Sequence, residues 1–387
     1  MRTTRTRFAA LGAVALLGLT GCGAAVGEEP VGPNGLPQQL VWSTYNVGTG
    51  TYNDLAAIAN TLTNEEGVQV RLMTADTGIG RLAPLVNGTV DYSRAGDEYY
   101  YAFEGDYEYA SPEWGPQDLR MVWAPLGNYG LLVREDSGID SFADLEGKRF
   151  PELTANTSIN NKMEGFLNYG GLTGEDVQKV PVSYGEQIAA LEAGQIDALY
   201  QNVVGSNIDE LASTHDVKWL GFDDPDPARY ETWEELMPMV SVGEVTDGAG
   251  MEKGESARVL EYTIPLTTLA SRDADEVYHL VKSMVEHYER YGTTTPDTHR
   301  FSFDAVLKEP LVVPFHEGTV RYFEERGVWT EELERKNQEL VERGERMREG
   351  WPGVVESSSE ETLAQDWAEW KKTELDTEPT EGTDDEN

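Results

Sequence analysis

Residues 40–62 read LVWSTYNVGTGTYNDLAAIANTL, and this stretch decides the fold class. Leu40-Val41-Trp42-Ser43-Thr44 is a short run of apolar, aromatic and β-branched residues, the composition of a strand. Gly48-Thr49-Gly50-Thr51-Tyr52 follows as a polar turn. Leu55, Ile58, Ala59 and Leu62 then recur at helical spacing, so a helix starts at the turn. Strand, Gly/Thr turn and helix in that order make the first unit of an α/β fold.

The alternation continues outward. Residues 68–73 are the next expected strand, 82–86 a short helix and 99–103 an aromatic helix. Leu131-Leu132-Val133 reads as a strand opening a middle region. Ser141-Phe142-Ala143-Asp144 and Ser183-Tyr184-Gly185-Glu186 have capping-box spacing. Asn156-Thr157-Ser158 opens a helix with Met163, Phe166 and Leu167 on one face, and Gly170-Gly171 supplies its stop. Residues 196–200 are an expected strand, and 223–253, rich in Asp, Pro, Glu and Gly, read as irregular. Val277, Leu280, Val281, Met284, Val285 and Tyr288 trace the strongest helical stripe in the chain. Val320 and Phe323 before Gly327 mark a short helix, and the charged run 330–349 is expected to be helical.

The amino terminus reads MRTTRTRFAALGAVALLGLTGC over residues 1–22. Arg2, Arg5 and Arg7 precede an apolar run over 8–19, too short for a bilayer-spanning helix of about 20 residues. Leu19-Thr20-Gly21-Cys22 resembles the lipobox of bacterial lipoproteins, which implies acylation of Cys22 and an extracytoplasmic, lipid-anchored location. Cys22 is the only Cys, so no disulfide or Cys metal site forms within one copy. Residues 23–38, rich in Gly and Pro, are expected to be a flexible tether. Residues 351–387 are an acidic tail, expected to be partly disordered from 374 on. Leu363, Trp367 and Trp370 in that tail could line a small docking helix.

The chain of 387 residues carries 70 Asp+Glu against 30 Lys+Arg, a formal net charge of -40. A phosphate backbone or an anionic lipid surface would be repelled, so nucleic acid is not an expected partner. The cations divide into 20 Arg and 10 Lys. Excess carboxylates with scarce Lys suit solubility in strong salt, a halophilic reading, the other reading being a merely acidic secreted protein.

Chemistry-bearing motifs are few. No G-x-S-x-G elbow, H-E-x-x-H pair or phosphate-binding loop occurs, and the five His show no ligand spacing. No enzyme, metal or cofactor is therefore expected. What remains is polar turns at helix starts. Gly48-Thr49-Gly50-Thr51 and Asn156-Thr157-Ser158 would offer backbone N–H groups and hydroxyls to an anion, or serve only as ordinary caps.

The ordered motifs resemble the solute-binding subunits of TRAP transporters of the TAXI type. The resemblance runs over residues 39–350. It rests on Gly48-Thr49-Gly50-Thr51-Tyr52, Leu85-Val86-Asn87-Gly88-Thr89-Val90-Asp91-Tyr92, the run from Asp136 to Arg149, Ala193-Gly194-Gln195-Ile196-Asp197-Ala198, and Pro314-Phe315-His316-Glu317-Gly318-Thr319. It implies an α/β, two-lobe periplasmic-binding-protein type II fold with an interlobe ligand cleft. Residues 39–130 and 240–350 would form lobe 1 and 131–239 lobe 2, with crossings near 128–132 and 238–242. It further implies TRAP permease subunits as partners and a small organic acid or amino acid, glutamate-like, as ligand. The sequence departs from the family at Thr77-Gly78-Ile79-Gly80-Arg81, at Ser93-Arg94-Ala95-Gly96-Asp97 and at the Asn156 helix start.

Candidate ligand residues are Thr49, Thr51 and Tyr52 in the first lobe, Thr157 and Ser158 in the second, and Tyr200 and Asn202 after the Asp197 turn. Arg94 has two open readings, a fork for a ligand carboxylate or an ion pair with Asp97 or Glu98. Arg81 shares that ambiguity and ranks below it. Tyr200 is open between cleft and core. Asp197 is read as a brace of its turn, His316 as a structural hydrogen-bonding residue and Trp123 as a buried aromatic. The competing functions are a substrate-binding lipoprotein of an ABC importer for a small organic anion, a lipid-anchored hydrolase, and a surface interaction protein acting through the acidic tail.

Overall fold

The computed structural model describes residue 32 and residues 34–222 and 237–375. The signal segment with Cys22, most of the tether, 223–236 and 376–387 lie outside the described residues. The turn at 45–49 joins strand β1 (Gln39–Thr44) to helix α1 (Gly50–Glu66). Thr49 caps the helix: its hydroxyl accepts from the Tyr52 N–H at 3.2 Å and donates to the Asn46 carbonyl at 2.8 Å. Leu55, Ile58, Ala59 and Leu62 are the buried stripe, and Gly67, at φ 71°, takes the left-handed position that ends the helix.

Two parallel neighbours flank β1: β2 (Gln69–Thr74) and β3 (Tyr92–Arg94). Helix α2 (Gly78–Val86) connects them, and α3 (Glu98–Glu104) follows β3. The antiparallel strands β4 (Leu119–Trp123) and β12 (Leu266–Leu269) complete the first sheet in the order β2-β1-β3-β12-β4.

The second sheet is built on β5 (Leu126–Arg134), which pairs antiparallel with β8 (Ala198–Asn202), β9 (Val217–Trp219) and β11 (Ala257–Thr263), with β10 (Ser241–Val245) outside β11. A parallel pair, β6 (Arg149–Leu153) and β7 (Gln178–Val182), and helices α4 (Thr157–Tyr169), α5 (Gln187–Glu192) and α6 (Ser206–Thr214) belong to this half. The capping box at Ser141 and Asp144 forms, though on a single 3-10 turn.

This is the two-lobed α/β architecture expected, with two crossings between sheets. The crossings differ from expectation: the chain passes between Trp123 and Leu126 and returns between Thr263 and Leu266. Thr263 pairs with Leu126 and Leu260 with Tyr129, so the crossing strands lie side by side. Residues 241–263, placed by sequence in the first half and partly read as irregular, therefore join the second sheet, β11 pairing with β5 and β10 with β11. Their mixed Glu, Arg and Gly content hides the strands, and it is pairing, β11 along β5 and β10 along β11, that holds them. The strand expected at 196–200 runs from Ala198 to Asn202.

Helix α7 (Ala274–Glu286) buries Val277, Leu280, Val281 and Met284, each adding about 1.5–3 kcal/mol of burial energy. Beyond α8 (Tyr288–Tyr291) and α9 (Glu317–Glu325), the charged run forms α10 (Glu331–Ser357), longer than expected. The tail supplies a docked helix, α11 (Leu363–Glu374), with Leu363 and Trp367 buried. Trp367 meets Trp351 edge-on at 5.0 Å and stacks on Trp370 at 4.9 Å. Residues 34–38, read as tether, are also docked: Leu36 is buried and the Asn34 amide donates to the Glu66 carboxylate at 2.9 Å. Among the described residues, no helix is long and apolar enough to cross a membrane.

Candidate functional site

Because β1, β2 and β3 run parallel, their carboxyl ends share one edge of the first sheet, the edge where open α/β sheets place ligands. Tyr45, Asn46 and Thr49 follow β1, and Gly96, Asp97 and Glu98 follow β3. Arg81 comes to the same edge from α2 and is fully buried. Its guanidinium donates to Glu98 Oε1 at 3.0 Å and to the Ala75 carbonyl at 3.1 Å, and lies 3.8 Å over the Tyr45 ring.

The second half answers with the first turns of α4. Asn156 caps it, accepting from the Ile159 N–H at 3.1 Å. Ser158 and Lys162, one turn apart, then face the first half. Ser158 Oγ donates to Asp97 Oδ2 at 3.2 Å, and the Lys162 ammonium bonds the same oxygen. That ammonium also sits 4.5 Å over the Tyr262 ring. A further bridge runs from the Asn202 amide to Asp297 Oδ2 at 2.6 Å.

Tyrosine rings fill the space between. Tyr45 comes from the first lobe, Tyr129 and Tyr262 from the crossing strands, and Tyr184 and Tyr200 from the second lobe. Tyr129 and Tyr262 are 4.4 Å apart, and the Tyr200 and Tyr262 hydroxyls bond at 2.7 Å. Several polar atoms here are buried without a hydrogen-bond partner: Arg81 Nε, Asp97 Oδ1, Glu98 Oε2, Asn128 Nδ2 and Asn156 Nδ2. Burial, reinforced by neighbouring Asp97 and opposed by Arg81, pushes the Glu98 carboxyl above its usual range. Such a seam is unlike a permanent core, where orphaned polar groups cost about 1–3 kcal/mol each.

Two grooves flank the seam, and Asp97, Glu98, Ser158 and Lys162 line neither. One, of about 650 Å³, is lined by Asn46, Thr49, Ser183, Gln201 and Asn207 among others. The other, of about 230 Å³, is lined by Gly50, Asp54, Val204, Ser206 and Asp297 among others. Beside it, burial and the nearby Asp297 raise the Asp54 carboxyl to about 6, against the pull of Arg94 and Thr295.

The residues picked from sequence divide. Thr49 lines the larger groove, with its hydroxyl engaged as the cap. Thr51 is buried and offers its carbonyl to Arg94, while Tyr52 and Thr157 are half-buried in first helical turns. Ser158, Tyr200 and Asn202 stand at the seam. Arg94 is an ion-pairing residue, but its partner is Asp54 at 3.3 Å rather than Asp97 or Glu98, and its other donors go to the Thr51 and Ile264 carbonyls. Asp197 braces its turn through Arg149, accepting from its backbone N–H at 2.8 Å. Trp123 is buried and donates to the Phe301 carbonyl.

Sequence reading did not single out Tyr45 or Lys162, named Asp97 and Glu98 only as possible partners of Arg94, and placed Arg81 below Arg94. One signal was available for Lys162. It follows Ser158 by four residues, on the face of the helix start, in a chain with only 10 Lys. Among the described residues, no His, Cys, Asp and Glu group is arranged to hold a metal ion.

Comparison with known proteins gives one family match and several structural likenesses. The chain is similar to the periplasmic aliphatic sulphonate binding protein SsuA from Escherichia coli, at 14% identity and TM-score 0.40, over 79% of this chain and 84% of that one. It is similar to the alkanesulfonate-binding protein SsuA from Xanthomonas axonopodis pv. citri bound to MOPS, at 15% identity and TM-score 0.41, over 76% and 96%. It is similar to an ABC transporter periplasmic binding protein from Brucella ovis with glutathione bound, at 13% identity and TM-score 0.41, over 68% and 76%. The family model described as NMT1-like matches residues 45–327, well over half of the chain, and the protein belongs to the NMT1-like family.

Proposed function

We propose that this is an extracytoplasmic solute-binding protein, held to the membrane through a lipid on Cys22, that captures a small polar organic molecule between its lobes for an importer. The observation that carries this reading is the buried, charged seam between the two sheets. Asp97 and Glu98 from one side and Ser158 and Lys162 from the other converge there with polar atoms left unpaired. Two bodies joined by two side-by-side strands suit closure around a solute. No nucleophile pattern competes with a binding role.

The resemblance to TAXI-type subunits points to a TRAP permease and to an organic acid or amino acid. An ABC importer is the second reading, the class named for the Brucella ovis protein. The test is native mass spectrometry of the mature chain after exposure to a neutralised metabolite extract. A small-molecule adduct, lost in an Asp97→Asn or Ser158→Ala variant that still folds, is the expected result. An unliganded mass in every extract overturns the reading. Co-purification from membranes with permease subunits or with an ATPase then separates the two importer classes.

A further inference from the structure

We infer that the solute taken between the lobes is net neutral, a zwitterion or an uncharged molecule rich in N–H and O–H donors, rather than an organic dianion; this rests on the seam being the binding site, as proposed above. The charge arrangement carries it. Each cation named at the seam is already engaged: Arg81 with Glu98, Lys162 with Asp97, Arg94 with Asp54, and Arg300 with Asp297. The two pairs nearest the convergence balance, so an added net charge of either sign would sit uncompensated in desolvated surroundings.

The uncommitted atoms say which end of a ligand fits. Asp97 Oδ1 and Glu98 Oε2 are buried carboxylate oxygens without a partner, on residues no more than 1% exposed. They call for donors. A ligand carboxylate brought against them would meet like charge at low effective dielectric. Gly96 marks the place: a Cβ there would lie 2.7 Å from Glu98 Oε2, 2.8 Å from the Tyr45 hydroxyl and 3.4 Å from Ser158 Oγ. Glycine keeps side-chain bulk out of the point where these three groups converge. Arg81 Nε, beside Glu98 on the guanidinium that bonds it, and Asn128 Nδ2 and Asn156 Nδ2 are buried donors without a partner, fit for a ligand carbonyl or a single carboxylate. A solute that carries both donors and an acceptor offers partners to both kinds of atom, and the tyrosine rings take its apolar face.

The test uses the mature chain and an isosteric series of probes, L-glutamine, L-glutamate and 2-oxoglutarate, whose net charges at neutral pH are 0, -1 and -2, with myo-inositol as an uncharged donor-rich probe. Binding is read by calorimetry and thermal shift at two salt concentrations. The expected result is that L-glutamine or myo-inositol binds roughly tenfold or more tightly than 2-oxoglutarate, with an affinity that salt barely changes. In Glu98→Gln, checked for folding by circular dichroism, the balance becomes positive and the preference moves toward the anions. Tightest binding of 2-oxoglutarate by the native chain overturns this inference and leaves the solute-binding reading standing. Silence across the series also overturns it, and the adduct measured by native mass spectrometry then decides the solute-binding reading separately.

Discussion

Lys162 on α4 and Asp97 ahead of α3 form an ion pair across the two lobes with both side chains fully buried. Removing one partner leaves a lone charge out of water, which costs about 3–5 kcal/mol, whereas removing both leaves none. Lys162→Met is expected to lower the unfolding free energy by that amount. The double variant Asp97→Asn/Lys162→Met is expected to regain most of it. Urea unfolding in a double-mutant cycle checks this; equal losses in single and double variants would show that packing, not charge, dominates.

Acid is expected to act oppositely at two buried groups. Asp54, raised to about 6 by burial, binds a proton in the native state over a range where the unfolded chain does not. Its contribution to stability is therefore present at low pH and lost as pH rises through about 6. The expected outcome is a component on the order of 2–3 kcal/mol between about pH 4 and 6 that vanishes in Asp54→Asn. Denaturant unfolding at a series of pH values, compared between the two proteins, measures it.

His316 has the reverse sign. Its Nδ1 accepts from the Gly318 N–H at 3.1 Å, capping α9, and its other ring nitrogen donates to the Arg272 carbonyl at 3.1 Å. Burial, with Arg120 nearby, holds its pKa down to about 4. The unfolded chain takes up the proton first, so stability falls as pH drops from about 6.5 toward 4. His316→Ala should cost about 1–2 kcal/mol at neutral pH from the lost cap and should flatten that acid limb. The same pH series on the variant provides the comparison.

Helix α11 is held by Trp367, which is fully buried and donates its indole N–H to the Glu104 carbonyl at 2.8 Å. Glu104 also takes a bidentate pair from Arg343 and a bond from Lys371. These cations outweigh its burial and keep its carboxyl below the usual range. Trp367→Ala is expected to cost about 3–5 kcal/mol and to release the helix. Hydrogen exchange over 363–374 should speed up in the variant while exchange in β1 stays slow; unchanged protection would mean that the charges alone hold the helix.

Much of the fold was legible because caps and periodicity are local. Thr49 before Leu55, Ile58 and Leu62 specifies the start and the inner face of α1, and the Val277 stripe specifies α7. Ser158 stands out in the sequence because it belongs to a recognisable helix start, and the structure places it against Asp97. The strands at 241–245 and 257–263 do not stand out, because mixed polar sequence becomes strand there only by pairing, β11 along β5 and β10 along β11. The dock of α11 was partly visible in its Trp spacing, but its anchor, Glu104, lies more than 250 residues away.

The sequence by itself therefore determined which segments become strands and helices wherever the apolar repeat or a cap declares it. Tertiary structure decided the sheet orders, the crossing points and the electrostatics of the seam. Lys162 and Asp97 are 65 residues apart, and with 70 acidic residues in the chain no spacing singles out that pair. A charge becomes functionally informative when burial strips its water and leaves it one partner. Burial is a property of the packed lobes, and so the chemistry of the seam, unlike the elements that carry it, is set by contacts between segments far apart in the chain.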